Sequence, residues 1–351
     1  MNSAQNLGQT SSQNVKKGLW LGLLGVTLFA ASLPMTKLAV GTAADPQLTP
    51  WFITFGRAAA AGLLSILYLF RQYLCRIQPN LSIKTGKNTV NNTVFRLPSA
   101  AEWGLLAFTA CGVVVGFPLF MSLALQYVPS THGAVVTGLL PLTTAVIAAL
   151  WFKQKPSAAF WLCAVLGTLL VLGFMALRSL DGTGHLNKHS SLHLADAFLL
   201  MAMLCASLGY IGGARLTPSL GAERVICWVL VLSLPITVPM TWLNLPSNLT
   251  AIHPSSWWAF AYVAVFSMWL GFFAWYRGLA VGGAVRVSQV QLVQPFLSLL
   301  FAIPLLGEKI DTMTLAFGLA VIATVFIGKK MPVHSAQIEG KTIEKTKRNS
   351  T

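Results

Sequence analysis

The chain has 351 residues, of which 55% are hydrophobic and only 9% are charged. About a quarter of the residues in a soluble domain are charged, so this composition excludes a soluble protein and predicts an all-α integral membrane protein. The formal net charge of +15 is spread over the segments between apolar runs. That distribution indicates orientation in a lipid bilayer and argues against nucleic acid as a partner.

A membrane crossing needs about 20 mostly apolar residues, and ten segments meet this requirement. Residues 1–17 are polar and are predicted as a disordered cytoplasmic tail. Lys16 and Lys17 before an apolar run also resemble a signal peptide, but the run continues past Pro34 to Val40 and is long enough for a retained span. The predicted spans 1 to 10 are 18–40, 51–73, 101–126, 131–152, 158–177, 194–215, 223–243, 257–279, 284–306 and 312–329.

Span 9 carries small and polar residues three and four apart, which places them on one helix face. Polar groups in hydrocarbon are costly unless they meet a partner or water, so this face must look at another helix or at a cavity. Span 4 repeats the pattern 154 residues upstream. The two faces are Ala284, Ser288, Gln291, Pro295, Ser298 and Ala302 in span 9, and Ser130, Ala134, Thr137, Pro141, Thr144 and Ala148 in span 4.

The shared pattern indicates an internal duplication. Pro141 corresponds to Pro295, and the charged stop at Lys155 corresponds to Lys309. Because each repeat holds five spans, an odd number, the second repeat must be inverted in the membrane. We therefore predict ten transmembrane helices as two inverted five-helix repeats, with domain boundaries at 18–177 for repeat 1, 178–193 for an external linker, 194–330 for repeat 2 and 331–351 for a basic cytoplasmic tail.

Lysine and arginine set the orientation. They accumulate in the terminal segments and in the connections after even-numbered spans, whereas the remaining loops hold only Arg178, Lys188 and Lys309. By the positive-inside rule both termini are cytoplasmic. Lys37 and Arg57 are left inside spans.

The order of the motifs resembles a ten-span EamA-type member of the drug/metabolite transporter superfamily. The residues that carry the resemblance are TKLAVG at the end of span 1, PWFITFGRAAAAG at the start of span 2, ALQYVPSTHGAVVTGLLPLTTAVIAALWF around span 4, and its counterpart in span 9 that ends in GEK. The resemblance covers about residues 18–330. It implies a bundle with a central cavity lined by spans 1, 3, 4, 6, 8 and 9, and transport by alternating access.

Two features depart from the family pattern. The family often has Gly-Glu after span 4, where this chain has Lys153 and Gln154, and the connection 74–98 is longer than expected. The first departure puts in doubt a role for that acid pair in repeat 1.

Lys37 and Arg57 are the first candidates for substrate binding. Facing the cavity, they would bind an anionic group such as a carboxylate; alternatively, they extend to the outer surface or pair with Asp45. No Asp or Glu lies mid-span, so we predict neither a buried carboxylate proton relay nor a site for lipophilic cations.

The polar face of the repeats supplies further candidates. Gln291 and the adjacent Gln294 are predicted to hydrogen-bond substrate, with Thr137 in the equivalent place, although the glutamines could instead tie spans 8 and 9 together. Tyr276 is a weaker candidate, since such aromatic residues more often pack in the core.

Two prolines, Pro141 and Pro295, each free a carbonyl one turn back. Each proline is therefore a kink or a hinge.

An enzyme remains an alternative because His185, His189 and His193 are spaced four apart before span 6, a spacing that aligns imidazoles for a metal on a regular helix. Asp181 and the neighbouring glycines make such a helix doubtful, and no HExxH, P-loop or nucleotide fingerprint occurs. We predict no metal site and no cofactor.

The combined interpretation is a secondary transporter and exporter of small polar metabolites, such as amino-acid-like compounds, in the inner membrane. The alternatives are a membrane enzyme with a loop histidine metal site and a non-transporting scaffold. The sequence leaves the oligomeric state open.

Overall fold

The computed structural model describes residues 2–77, 96–151, 155–179, 190–282, 290, 293–330 and 333–334. Nearly all of them are helical, which confirms the predicted fold class. The helices are Asn2–Val40 for span 1, Pro50–Ile77 for span 2, Ala100–Ala110, Cys111–Gly116 and Phe117–Tyr127 for span 3, Ser130–Thr137 and Leu140–Trp151 for span 4, Ala158–Ser179 for span 5, Ser190–Leu220 for span 6, Ala222–Leu243 for span 7, Pro254–Tyr262, Val263–Leu270 and Gly271–Gly282 for span 8, Gln294–Leu306 in span 9, and Thr312–Lys330 for span 10.

Six of the described helices are long and apolar enough to cross a membrane, and three shorter apolar helices accompany them. The six are Lys16–Val40, Pro50–Leu74, Ala100–Tyr127, Leu194–Leu220, Glu223–Leu243 and Pro254–Gly278; the shorter ones are Trp161–Phe174, Gln294–Leu306 and Thr312–Thr324. The small remainder includes a 3-10 turn at Leu249–Ala251 and a two-residue antiparallel pairing of Lys155–Pro156 with Val333–His334.

The two repeats share irregularities that periodicity alone does not reveal. Span 3 passes through a π-helical segment at Cys111–Gly116, and span 8 passes through another at Val263–Leu270. The repeat offset of 154 residues moves 111–116 to 265–270, which lies inside the second segment. The second half of span 4 begins at Leu140, and the described helix of span 9 begins at the equivalent Gln294. The duplication therefore extends to the places where the helices deviate.

Packing places the cavity region between the repeats. Span 1 packs against spans 8 and 9, span 2 against span 7, span 3 against span 6, and span 5 against span 10. Glycine allows the closest of these approaches: a Cβ on Gly112 of span 3 would lie 2.8 Å from the Cα of Gly209 in span 6. Such small-residue contacts are typical of membrane helices.

The connections after spans 1, 3, 7 and 9 meet at one end of the bundle, where they line a recess that we call the vestibule. The connections after spans 2 and 6 meet at the other end. This alternation is what an inverted pair of five-span repeats requires.

Candidate functional site

A cavity lies between the two repeats, at the level where spans 3, 4, 8 and 9 are irregular. About 70 Å³ of it is accessible to water-sized molecules. Seven spans line it, with Phe29, Ser32, Leu33 and Thr36 from span 1, Arg57 from span 2, Val113, Phe117, Pro118 and Met121 from span 3, Thr137 and Leu140 from span 4, Tyr210 from span 6, Ser267, Met268 and Phe272 from span 8, and Gln294, Pro295 and Ser298 from span 9.

Arg57 is the charged group of this cavity. Its side chain is only 5% exposed, and it is the one buried Lys or Arg among the described residues. Its Nη2 lies 3.4 Å from Ser267 Oγ and 3.4 Å from Met268 Sδ, while Nε has no hydrogen-bond partner. A guanidinium has five N–H donors, so most of its hydrogen-bonding capacity is unused. Within the described part of the chain, no carboxylate lies within salt-bridge distance of it.

The π segment of span 8 supplies both residues that contact the Arg57 guanidinium. Ser267 and Met268 both belong to Val263–Leu270 and both line the cavity. A π turn holds one residue more than an α turn, and such turns are frequent at functional sites. Ser267 also accepts a 2.6 Å hydrogen bond from Ser32 of span 1, so the wall near Arg57 joins three spans.

Helix starts also face the cavity. Span 4 is interrupted after Thr137, where the N–H of Gly138 returns to the carbonyls of Ala134 and Val135, and helix resumes at Leu140. Leu140 and Gln294, the first residues of equivalent helices, both line the cavity. The first N–H groups of a helix have no partner within it and carry partial positive charge. In span 4, however, the N–H groups of Gly138, Leu139, Leu142 and Thr143 are hydrogen-bonded, so the positive charge of the cavity comes from Arg57.

The structure brings together some of the candidates and not others. Arg57, Thr137, Gln294 and Pro295 line the cavity. Tyr276 does not; it lies one turn past Phe272 and packs on that ring, with centroids 5.5 Å apart.

Two further candidates are Gln291 and Pro141. Gln291 lies outside the described residues. Pro141 is in the first turn of Leu140–Trp151, the position at which a helix tolerates proline.

Lys37 lies apart from Arg57. It lines the vestibule, and its Nζ donates a 2.6 Å hydrogen bond to the Leu125 carbonyl of span 3. Asp45, the alternative partner for both cations, instead accepts a 2.8 Å hydrogen bond from Gln47. The two predicted cations therefore occupy different places: Arg57 lines the cavity and Lys37 lines the vestibule.

Glu308, in the charged stop after span 9, has a contact that the sequence did not indicate. Its carboxylate accepts hydrogen bonds from the backbone N–H groups of Ser130 (2.7 Å) and Thr131 (2.9 Å). It thereby caps the first helix of span 4, where unpaired N–H groups favour an anion. By the repeat offset, the equivalent of Glu308 is Gln154, which lies outside the described residues.

The opposite end is held by polar contacts among spans 2, 3, 6 and 7. Glu102 accepts hydrogen bonds from Arg96 (2.6 and 2.9 Å) and from Ser219 (2.6 Å), and Glu223 accepts one from Tyr68 (2.7 Å). The hydrogen bond to Glu102 raises the pKa of the exposed Arg96 guanidinium. These contacts tie the ends of the repeats together on the side away from the vestibule.

A buried carboxylate occurs near the start of span 6, outside the middle of the spans, where the sequence has no Asp or Glu. Asp196 of span 6 is buried, and its Oδ1 lies 2.7 Å from Nε2 of the buried His132 in span 4. Asp196 is the seventh residue of the helix Ser190–Leu220 and the third of the predicted span 194–215.

The described residues hold no group of three or more His, Cys, Asp or Glu side chains that could bind a metal. Of the three loop histidines, His185 and His189 lie outside the described residues.

Comparison with known proteins agrees with this architecture. The EamA-like transporter family matches residues 16–176 and, a second time, residues 193–328. The uncharacterized transporter YdeK of Bacillus subtilis (strain 168) is 39% identical over 314 residues, 89% of this chain and 96% of that protein. The uncharacterized transporter YyaM of the same organism is 24% identical over 275 residues, 77% of this chain and 80% of that protein. A crystal structure of a protein with 16% identity superposes with a TM-score of 0.55 and covers 88% of this chain and 95% of that one, a likeness of fold alone.

Proposed function

Because this chain belongs to the EamA-like transporter family, we propose that it is a secondary transporter that exports small polar metabolites, amino-acid-like compounds among them, across the inner membrane by alternating access. The resemblance noted in the sequence is confirmed, and the transporter role follows from the family. We propose the substrate class, the outward direction of transport and the inner membrane as the location.

The observation that carries the substrate class is Arg57 in the central cavity. An isolated charge is costly to bury, and an ionisable residue among membrane spans is a functional candidate by default. Arg57 is buried beside one hydroxyl and one thioether, with Nε unpaired. A carboxylate or phosphate would satisfy its planar fork in a bidentate manner. We infer that the substrate carries such an anionic group.

The helix start at Gln294 supports the same inference. In transporters built from inverted repeats, the positive ends of interrupted helices point at anionic substrate groups near the membrane midplane. Here the start of the helix Gln294–Leu306 lies at the cavity that contains Arg57. Polar groups around it, such as Thr137 and Gln294, are proposed to orient the rest of the substrate.

Alternating access is supported by the position of the irregular segments. The break after Thr137 and the two π segments lie at cavity level, where a helix must bend if one end opens while the other closes. We propose that Pro141 and Pro295 act as hinges there. The distribution of lysine and arginine supports a vestibule on the outside and both termini in the cytoplasm.

The two alternatives have less support. No described observation favours a membrane enzyme, and a scaffold does not require an interior cation facing a cavity.

The test is counterflow in proteoliposomes loaded with one compound and screened with amino acids, organic acids and nucleosides. We expect exchange with compounds that carry a carboxylate and none with neutral nucleosides. Exchange of nucleosides alone would contradict the proposed substrate class, and the absence of any exchange across a wide panel would contradict the transporter assignment to small polar metabolites.

A further inference from the structure

We propose that Tyr210 of span 6 and Arg57 of span 2 together bind one carboxylate of the substrate, and that this pair selects a carboxylate over a dianionic group such as a phosphate. The inference rests on the proposed transport of anionic metabolites, and it names the anion and its second binding residue. Both side chains line the central cavity, and they are close enough to interact electrostatically.

Close packing of two helices brings Tyr210 to the cavity. Gly209 of span 6 lies against the π segment of span 3, where a Cβ added to Gly112 would lie 2.9 Å from the Gly209 nitrogen. The next residue, Tyr210, packs against both apolar cores of the bundle, one of which contains Met268. Its side chain is half-buried and borders the cavity. Tyr210 therefore lies where the two repeats meet, as Arg57 does.

The phenolic O–H of Tyr210 is available to a ligand, since it forms no hydrogen bond with another described residue. Two other hydroxyls of the cavity use their hydrogens within the protein. Thr137 donates a 2.7 Å hydrogen bond to the Gly133 carbonyl, and Ser298 donates one of 2.9 Å to the Ala30 carbonyl. Those two hydroxyls can accept hydrogen bonds, but they have no hydrogen left for an anion. Tyr210 can donate to one.

Arg57 presents donors that the same anion can use. Its Nη2 has the two 3.4 Å approaches to Ser267 and Met268, and its Nε has no partner. A carboxylate can accept two parallel N–H bonds from the guanidinium fork. Its two oxygens offer about four acceptor positions, so a phenol beside the fork can donate to the same group. The pair thus supplies a charge and a neutral donor for one carboxylate.

The charge of the cavity favours a carboxylate over a phosphate. Among the described residues that line it, Arg57 is the one charged side chain. A carboxylate neutralises this charge, whereas a phosphate ester carries a charge of about −1.5 to −2 at pH 7 and would leave negative charge unpaired. Burying an unpaired charge is costly. Because Tyr210 is neutral, it adds a hydrogen bond and leaves the balance of one cation to one carboxylate intact.

The test measures the binding of small anions to the purified protein and needs no transport. Acetate is the carboxylate probe, and sulfate is the dianion probe because it stays doubly charged near neutral pH. About 70 Å³ of the cavity is accessible to water-sized molecules, which is room for roughly five waters and suits anions of this size.

The thermal midpoint in detergent is followed while either salt replaces sodium chloride at constant ionic strength. A ligand that binds the native state raises the midpoint as its concentration rises. The same titration of Arg57→Met gives the background from surface charges and from general salt effects.

We expect acetate to raise the midpoint of the wild type in a saturable way and to have no such effect on Arg57→Met. Tyr210→Phe keeps the ring and removes the hydroxyl. The acetate concentration that gives half of the shift should therefore rise roughly 10-fold, the loss expected for one hydrogen bond to a charged group. Tyr276→Phe is the matched control, since Tyr276 does not line the cavity, and it should respond as the wild type does. Sulfate should give no shift beyond the background.

The pair is refuted if Tyr210→Phe and the wild type respond equally to acetate. An acetate response that persists in Arg57→Met, or that never appears in the wild type, would overturn it as well. A sulfate shift that depends on Arg57 and equals that of acetate would contradict the selection of a carboxylate. Should Tyr210→Phe fail to fold, Tyr210→Gln and Tyr210→Leu replace it, because they are similar in size and only glutamine keeps a donor. The glutamine variant should bind acetate more tightly, and equal binding would count against the pair.

The pair and the proposed function can fail separately. Counterflow of carboxylates together with an acetate response that does not depend on Tyr210 would remove the pair and leave the transporter. An acetate response that depends on both residues, without counterflow of any compound, would support the pair and contradict the proposed transport.

Discussion

The two cations that lie within spans, Arg57 and Lys37, differ in the partners that the protein gives them. Lys37 is half-buried at the vestibule, and its ammonium donates a 2.6 Å hydrogen bond to a backbone carbonyl. Arg57 is almost fully buried, and its contacts are two 3.4 Å approaches to uncharged atoms. The protein therefore stabilises the charge of Lys37 by itself and leaves that of Arg57 to be stabilised by something else.

We propose that this difference separates a structural cation, Lys37, from a ligand-binding one, Arg57. The hydrogen bond of Lys37 links span 1 to span 3, and the residue lines the vestibule. Arg57 lies in the cavity between the two repeats, and no described group neutralises its charge. The substitutions that follow are ways to break or to sharpen this contrast.

The largest effect is expected for Arg57→Met. A hydrogen bond to a charged group contributes about 1.5–3 kcal/mol, so loss of the guanidinium should weaken substrate binding roughly 10- to 150-fold. Stability should stay the same or rise, since an unpaired buried charge is removed. Counterflow at varied substrate concentration and the thermal midpoint in detergent give the two quantities.

Arg57→Lys is the matched control for this substitution. It keeps the charge but not the fork, and we expect intermediate affinity. A strongly destabilised Arg57→Met protein with unchanged affinity would mean that the guanidinium is structural.

The second effect concerns the cap at the vestibule. Glu308→Ala leaves the N–H groups of Ser130 and Thr131 without their acceptor, and an orphaned donor costs about 1–3 kcal/mol. The thermal midpoint should fall measurably, while substrate affinity should change much less than in Arg57→Met. Lys309→Ala, at the exposed neighbouring residue, should leave the midpoint unchanged; equal loss in both variants would argue against the cap.

Gln294→Leu should have a moderate effect. The amide lines the cavity, and loss of one neutral hydrogen bond to substrate is worth about 0.5–1.5 kcal/mol, or roughly 2- to 12-fold in affinity. Val293→Leu is the control, since Val293 is adjacent and does not line the cavity. If Gln294→Leu lowered the thermal midpoint and left affinity intact, the amide would be a tie between helices.

The smallest effect is expected for Lys37→Met. The Leu125 carbonyl loses a donor but lies next to the vestibule, where water can replace it. We expect substrate affinity within about twofold of the wild type, since no substrate contact is lost. A loss of substrate affinity as large as that of Arg57→Met would mean that Lys37 also binds substrate.

Much of the fold could be predicted from the sequence, because apolar length and the repeated polar face are direct consequences of the bilayer. The positions of Thr137, Gln294 and Pro295 at the cavity follow from that face, although their roles there remain proposals. Thr144, on the same face, instead meets Ser207 of span 6. The periodicity of a sequence predicts which residues share a helix face. It does not predict whether each of those residues contacts a cavity or a neighbouring helix.

Other parts of the site could not be predicted. The π segments shift the register of spans 3 and 8, and no local motif marks them, so Ser267 and Met268 were not identified. Tyr276 belongs to the right face but lies one turn beyond the cavity. Asp196 lies near the predicted start of span 6, and its place in the sequence did not indicate that it is buried against His132. Depth along a helix depends on tertiary packing, which a single sequence does not report.

The most direct test of the central claim compares a substrate with its uncharged analogue. Once counterflow has identified a transported carboxylate, its affinity is measured against that of the corresponding amide in the wild type and in Arg57→Met. The account predicts that the wild type prefers the carboxylate roughly 10-fold or more and that Arg57→Met loses this preference. An equal preference in both proteins would contradict the assignment of Arg57 as the anion-binding group.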